Sequence, residues 1–317
     1  MRINSSLMKT ILNKPLLVFL SGCLLSLFIA AIGYATLQPK APEFKPNTNI
    51  TDSVNFLKVA PPIFPKEANF AGEKVPLEIP DVRERLDREL LINAYYQGSN
   101  LYNMKLAARW LPVIEPILQK NGIPDDFKYL CLAESGYQQV VSKSNAVGFW
   151  QFLAETGKRF GLEINDEVDE RYQVEKATEA ACRYFIAADS QFGSWTLVAA
   201  SYNCGTAGLA KFMNAQQQKN YYDLYLPDET MRYVFRILAL KEIYTHPKRY
   251  GFLLASSDLY PTFAYKTVDV SDPIEDLAQF AIDQGTTYKM LKVYNPWLRA
   301  KQLKNLKHKT YSIKIPT

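Results

Sequence analysis

Histidine is nearly absent from this chain, and cysteine is scarce. The 317 residues include two histidines, His246 and His308, and four cysteines. Neither histidine lies within helical reach of a cysteine or of the other histidine, so a zinc site or a Ser-His-Asp triad is hard to assemble. We therefore expect neither a metal ion nor another cofactor.

The few cysteines leave little scope for disulfide bonds. Cys23 lies in an apolar N-terminal stretch, which leaves Cys131, Cys182 and Cys204, an odd number without any CxxC spacing. At most one bridge can form among these three. We expect them to be small buried hydrophobic residues instead.

The chain also lacks a strong charge of either sign. Its formal net charge of +5 is mild and dispersed, which argues against nucleic acid as a partner and suits either an anionic polymer or simple solubility. With 48% hydrophobic and 22% charged residues, the composition is globular, and the length allows one medium domain plus a smaller one.

The one long apolar stretch lies near the N-terminus. Residues 16–37 carry no charge and are long enough to cross a bilayer as a helix, and Arg2, Lys9 and Lys14 precede them. Positive charge ahead of a first span keeps the N-terminus in the cytoplasm and sends the downstream residues outward. Residues 1–40 are therefore predicted to be a signal anchor, with a membrane helix.

A lipidated N-terminus is the alternative, because residues 20–23 read Leu-Ser-Gly-Cys, like a lipobox that ends at Cys23. The apolar stretch continues well past Cys23, which favours the uncleaved helix. Either anchor exports the rest of the chain. Residues 41–80, spaced with prolines and without a sustained period, are predicted to be a linker.

From Asp81 onward the hydrophobic spacing becomes helical. Leu86, Leu90, Leu91 and Ala94 are predicted to share one face of the first helix. Further helices are predicted at residues 104–122, 127–135, 175–192, 194–203 and 229–246. No convincing strand interrupts them, so residues 81–251 are predicted to form one mainly α domain.

Glu134 stands near the end of the predicted helix 127–135, for which Asp126 is the expected N-cap. The preceding residues 130–133 are apolar, and such surroundings raise a carboxyl pKa and keep the group protonated near neutral pH. For an isolated glutamate, an ordinary solvated helix position is the more common situation.

The motifs that follow Glu134 along the chain indicate that it is not an ordinary surface glutamate. Glu134-Ser135 is followed by AVGFWQF at 146–152, ASYNCG at 200–205 and PDETMRYV at 227–234. This ordered set resembles the catalytic domain of the lytic transglycosylases with a goose-type lysozyme-like fold, particularly the membrane-bound D type. Four matches in order, across most of the helical body, are far more specific than any single short motif.

The resemblance implies an enzyme that cleaves the MurNAc–GlcNAc β-1,4 bond of peptidoglycan and leaves 1,6-anhydroMurNAc ends. Glu134 matches the single general acid/base, since the substrate's acetamido group and 6-hydroxyl replace the second carboxylate of ordinary glycosidases. Asp169 and Glu229 could still approach Glu134 in space. The alternatives are a muramidase-type hydrolase and an inactive peptidoglycan-binding protein.

The resemblance also assigns residues to the glycan groove. Ser142 matches a serine beside the catalytic site, Gly148 a glycine that lets the backbone approach the sugar, and Gln151 a groove side chain. Tyr202 and Asn203 match a pair that contacts the acid and the muramoyl acetamido group.

Two further groove positions come from the last motif. Glu229 matches a second groove carboxylate, with helix capping as the alternative, and Tyr233 matches an aromatic on the groove side. Trp150 and Trp195 are expected to be core residues. The chain departs from the family pattern at three positions: Asn145 stands where glycine is usual, Leu153 where methionine is common, and Cys204 where alanine is usual.

The C-terminal residues 262–317 read as strand, two short helices and strand, a βααβ order. They resemble a LysM glycan-binding module, although Asp272-Pro273 replaces the usual Gly-Asp-Thr. A degenerate module that merely packs on the catalytic domain is the alternative. Together the resemblances predict a protein anchored at the periplasmic face of the inner membrane, or as an outer-membrane lipoprotein, with peptidoglycan as its partner.

Overall fold

Ten α-helices make up most of the regular secondary structure in residues 60–317, the part of the chain that the computed structural model describes. They are α1 Pro80–Tyr95, α2 Gln97–Lys120, α3 Phe127–Ser135, α4 Ala154–Arg159, α5 Val174–Phe192, α6 Trp195–Cys204, α7 Thr206–Gln216, α8 Asp228–Thr245, α9 Leu277–Asp283 and α10 Tyr288–Tyr294. The mainly α prediction is confirmed. None of these helices is both long and apolar enough to cross a bilayer, and the apolar residues 16–37 lie outside the described part.

Helix α8 is the centre of the helical body and packs against α1, α3 and α6. Its apolar residues at helical spacing, among them Val234, Ile237 and Leu238, are almost fully buried. On α1, Leu86 and Leu90 are buried as predicted, but the prediction for Leu91 was wrong, since it is 45% exposed. Leu91 is only one residue from Leu90, which turns its side chain about 100° away from the buried face.

Two of the described cysteines behave as the sequence predicts. Cys131 and Cys182 are fully buried, whereas Cys204 is only half-buried. All three are free thiols, so no disulfide connects them.

Helix α3 ends immediately after Glu134. Gly136 adopts a left-handed conformation (φ 62°) and its N–H bonds back to the carbonyl of Leu132, which terminates the helix. Asp126 occupies the predicted N-cap position, but its side chain makes no capping hydrogen bond to the helix. Its carboxylate instead accepts hydrogen bonds from the backbone N–H of Ala71 and from Lys241 Nζ, each at 2.6 Å, and so connects α3 to two distant segments.

The last part of the predicted linker 41–80 is folded onto the helical body, which differs from the prediction. Strands β1 (Asn69–Phe70) and β2 (Glu73–Lys74) form a small hairpin whose Phe70 is fully buried in the main core. The Glu73 carboxylate accepts from the backbone N–H groups of Trp195 (2.6 Å) and Thr196 (3.0 Å), the first turn of α6. The buried Phe70 ring and the helix-capping Glu73 carboxylate hold this segment in place, although its sequence has no regular hydrophobic pattern.

The C-terminal module has the predicted βααβ order. Strand β3 (Tyr265–Val270) pairs antiparallel with β4 (Tyr311–Pro316), and α9 and α10 lie between them in the chain. Its own core is built from apolar residues that include Leu277, Leu291 and Ile313. The module also packs against the helical domain, through a bridge between Val168 and Leu298.

Candidate active site

Glu134 lies at the junction of two pockets. The first, which we call the loop pocket, has a volume of about 390 Å³ and is lined by Glu134, residues of the 142–156 segment, Tyr202 and Asn203. The second, the helix pocket, has a volume of about 400 Å³ and is lined by Glu134, residues of the 93–103 segment, Arg236 and Leu240. The side chain of Glu134 is therefore accessible from both pockets.

The environment of Glu134 favours its protonated form. The pKa of this carboxyl is raised from its ordinary value of 4.5 to about 7, mainly by burial and to a smaller extent by the nearby negative charge of Glu229. A hydrogen bond from the Tyr233 hydroxyl to Oε1 and the positive charge of Arg236 oppose this rise. Burial dominates, as the apolar residues before Glu134 predicted, so the group is poised to give and take a proton near neutral pH.

The tyrosine that hydrogen-bonds to the acid is Tyr233, not Tyr202. The Tyr202 hydroxyl donates to the backbone carbonyl of Trp150 at 2.6 Å. Tyr233, on the buried face of α8, donates to Glu134 instead. Tyr202 therefore makes no hydrogen bond to the acid, but it stays close to Glu134: burial and the nearby charge of Glu134 both raise the pKa of its phenol. Tyr202 still lines the loop pocket, where its substrate-binding role remains a prediction.

Three residues of the segment 142–152 fix the backbone conformation of this wall of the loop pocket. Ser142 Oγ accepts from the N–H of Ala146 at 3.0 Å and closes the turn that begins the segment. Asn145 adopts a left-handed conformation (φ 60°), which explains how asparagine can stand where the family has glycine. Gln151, also left-handed (φ 49°), donates its side-chain amide to the carbonyls of Gly148 (2.7 Å) and Val140 (3.1 Å).

Gly148 is required by the protein's own packing. It has a φ of 80°, and a Cβ added there would lie 2.1 Å from the carbonyl oxygen of Arg171. Only glycine allows this close approach of two backbone segments. An approach of the Gly148 backbone to a sugar remains a prediction.

Asn203 is held at the other wall of the loop pocket. Its Oδ1 accepts a hydrogen bond from Thr230 Oγ1 at 2.7 Å, which connects α6 to the start of α8. Trp150 is fully buried, as predicted, and Trp195 packs partly buried against the same core.

The two carboxylates considered as partners for Glu134 are both engaged elsewhere. Asp169 is buried and forms a two-pronged ion pair with Arg171. Glu229, in the first turn of α8, is 57% exposed in its side chain and pairs with Arg236 at 3.1 Å. Glu229 makes no side-chain cap of its own helix. Within residues 60–317, no group of three or more His, Cys, Asp or Glu side chains is arranged to hold a metal ion.

The sequence reasoning missed the helix pocket. Its lining is rich in hydroxyl and amide groups, the chemistry that binds sugar hydroxyls, and comes mainly from Tyr96, Ser99, Tyr102, Asn103, Gln138 and Arg236. One signal was available: Arg236 follows Tyr233 by three residues in α8, a spacing that places both on one helix face.

Arg236 lies near a buried glutamate, Glu89, which the sequence did not single out either. Glu89, on α1, is 1% exposed and accepts from Arg232 Nε at 2.7 Å, while its other carboxylate oxygen lies 4.0 Å from Arg236 Nε. The two arginines of α8 are thereby attached to α1. This arrangement places positive charge beside Glu134 without exposing it fully to solvent.

Comparison with known proteins agrees with both parts of this architecture. Residues 112–225 match the family described as transglycosylase SLT domain, and residues 266–317 match the soluble lytic transglycosylase C-terminal LysM-like domain. Two similar proteins are each called membrane-bound lytic murein transglycosylase D, from Escherichia coli strain K12 and from Escherichia coli O6:H1. Each is 29% identical over 244 residues, which cover 74% of this chain and 52% of the relative. The chain thus spans about half the length of these relatives, and it contains an SLT transglycosylase domain followed by a LysM-like domain.

Proposed function

We propose that this protein is a peptidoglycan lytic transglycosylase that uses Glu134 as its single general acid/base. The observation that carries the proposal is one partly buried carboxyl group, with a pKa of about 7, that lines two pockets in an SLT domain. The names of the similar proteins support the same reaction class.

The first step is transfer of the Glu134 proton to the glycosidic oxygen between MurNAc and GlcNAc. The C1–O4 bond breaks while the acetamido oxygen of the same MurNAc residue bonds to C1, so the protein needs no second carboxylate as nucleophile. Oε1 of Glu134 is bound by Tyr233, and within residues 60–317 no group hydrogen-bonds to Oε2, so Oε2 is the oxygen available to the substrate.

In the second step, the 6-hydroxyl of MurNAc attacks C1, the acetamido oxygen leaves, and the hydroxyl proton returns to Glu134. This step gives the 1,6-anhydro ring and restores the acid. The hydrogen bond from Tyr233 and the positive charge of Arg236 both stabilise the carboxylate that exists between the two steps. The ion pair of Glu229 with Arg236 argues against Glu229 as a free second catalytic carboxylate.

A digest of purified peptidoglycan tests the proposal. We expect mass spectrometry of the products to show anhydromuramoyl ends. Reducing ends would indicate a muramidase-type hydrolase, and an absence of soluble products would indicate a binding protein.

Replacement of the acid tests its role. We expect Glu134→Gln to lower turnover by about 10²–10⁴-fold, because general acid–base catalysis contributes factors of that size. Binding to sacculi should remain nearly unchanged. Substantial residual turnover in this variant would contradict the assignment of Glu134.

The site of action follows from the substrate. We propose that the protein works at the periplasmic face of the cell envelope, attached to a membrane through residues 1–40 or through a lipidated Cys23. The similar proteins are named as membrane-bound, which supports this proposal.

A further inference from the structure

A segment of the catalytic domain is built into the core of the LysM-like module. Val168 is 1% exposed and packs among the module's apolar residues. It forms a β-bridge with Leu298, and two backbone hydrogen bonds flank the bridge, from Asp169 N–H to the Trp297 carbonyl (2.9 Å) and from Arg299 N–H to the Glu167 carbonyl (2.7 Å). Residues 167–169 therefore complete the module's core.

Polar contacts around this bridge fix the orientation of the module. Glu163 accepts from Lys309 Nζ at 2.9 Å and from the Tyr311 hydroxyl at 3.1 Å. The backbone N–H of Lys304 donates to the Glu167 carboxylate at 2.9 Å. A module that was only tethered to the catalytic domain would have no need of this directional bonding.

The same segment continues to the wall of the loop pocket. Asp169 accepts from Arg171 Nε at 2.9 Å and from its Nη2 at 2.7 Å, and both residues are buried. The remaining nitrogen of Arg171 donates to the carbonyls of Asn145 (3.3 Å) and Phe152 (3.2 Å). The backbone carbonyl of Arg171 packs against Gly148. One arginine therefore holds the segment 142–152 at three points.

We infer that the LysM-like module is a positioning element of the glycan groove: it immobilises residues 163–171, and Arg171 in turn holds the groove wall 142–152 in place. Arg171 is a positioning residue, because it acts on the substrate only through this wall. The inference rests on the proposed function only in treating 142–152 as a wall of the glycan groove. Contacts that the module itself makes with the cell wall are not needed for this role.

An Asp169→Asn variant of the full chain tests the connection. It removes one charge of the buried pair with nearly the same side-chain volume, and it should release Arg171 from its fixed orientation. We expect faster amide hydrogen exchange in 142–152, and a KM for glycan strands that rises about 10-fold while kcat changes less, since a loosened wall weakens binding.

Lys314→Gln is the matched control for this variant. Lys314 connects the module to the catalytic domain through Glu175 of α5, a contact that does not reach residues 142–152. We expect exchange in 142–152 and KM to stay at their wild-type values. Equal loosening of 142–152 by both variants would overturn the inference, because it would reveal general destabilisation of the interface.

Leu298→Ala tests the module's side of the connection, and covers the case in which Asp169→Asn does not fold. Leu298 is fully buried, and its replacement by alanine should weaken the packing around Val168. We expect faster exchange in both the module and 142–152. Faster exchange in the module, with 142–152 still protected, would overturn the inference.

Hydrogen exchange also separates this inference from the proposed function. If the wild-type chain released no products, the proposed reaction would fail, yet the exchange rates of 142–152 in the three variants would still decide whether the module holds this wall. If turnover were normal but Asp169→Asn left both exchange and KM unchanged, only the inference would fail.

Discussion

The loop pocket and the helix pocket meet at Glu134 but are walled by different kinds of structure. The loop pocket depends on backbone geometry, with left-handed residues at Asn145, Gly148 and Gln151. The helix pocket depends on side chains that project from α8 and from the region where α1 meets α2. Backbone geometry of this kind needs particular residues in a fixed order, whereas a wall of side chains from separate helices does not. This difference explains why short motifs identify one pocket and not the other.

The largest expected effect is a loss of folding stability when Gly148, beside the loop pocket, gains a side chain. Gly148→Ala should destabilise the fold by about 3 kcal/mol or more, because its Cβ would collide with the Arg171 carbonyl in addition to the strain of a positive φ. Gly193→Ala is the control, since Gly193 also has a positive φ but no atom near the added Cβ; about 1 kcal/mol is expected there. Chemical denaturation measures both, and equal losses would contradict the packing argument.

The next effect concerns the carboxyl group that both pockets share. The pKa of Glu134 is raised from 4.5 to about 7 in the folded protein, so its ionisation opposes folding. Relative to Glu134→Gln, the wild type should keep its stability below pH 4.5, lose about 3 kcal/mol progressively between pH 4.5 and 7, and show little further change above pH 7. Denaturation of both proteins between pH 4 and 9 measures the difference. A difference independent of pH would exclude the raised pKa.

A smaller effect is a shift in the pKa of Glu134 when one of the two charged residues near it, Arg236 or Glu229, is neutralised. Arg236→Gln should raise the pKa of Glu134, since a stabilising positive charge is removed, and should move the alkaline limb of the pH–activity profile to higher pH. Glu229→Gln should move the same limb to lower pH, because a repelling negative charge is removed. Profiles of kcat/KM against pH measure both shifts. Shifts in the same direction would contradict the assigned electrostatics.

The smallest effect concerns binding in the helix pocket. Tyr96 lines this pocket and is 66% exposed, so Tyr96→Ala should raise KM for glycan strands roughly 3- to 10-fold with little change in kcat. Tyr225 is the control, since it is 79% exposed and lines neither pocket. Tyr225→Ala should leave both constants unchanged. An equal effect of the two replacements would show that the helix pocket makes no specific contribution.

Much of the fold was predictable because its helices carry strong apolar periodicity and clear ends. The boundaries of α3 and the βααβ order of the module followed from the sequence. The hairpin at 69–74 did not, since its contribution depends on one buried aromatic, Phe70, and on a capping carboxylate whose partners lie more than a hundred residues later.

The candidate site shows the same limit. Glu134 and its apolar neighbours were readable from the sequence, as was the presence of Tyr202 and Tyr233. The partner of each hydroxyl was not readable, because it depends on how α6 and α8 are rotated against α3. Glu89 and Arg171 were missed for a related reason: each acts through a contact between elements, and neither belongs to a short motif.

The bridge between Val168 and Leu298 also bears on the order of folding. The contact from Lys304 to Glu167 joins residues 137 positions apart, so it can form only once the end of the chain is present. Contacts of such long sequence separation close large loops and form late. If the module holds residues 163–171 as inferred, we expect a chain shortened before it to retain Glu134 but to have a less ordered loop pocket.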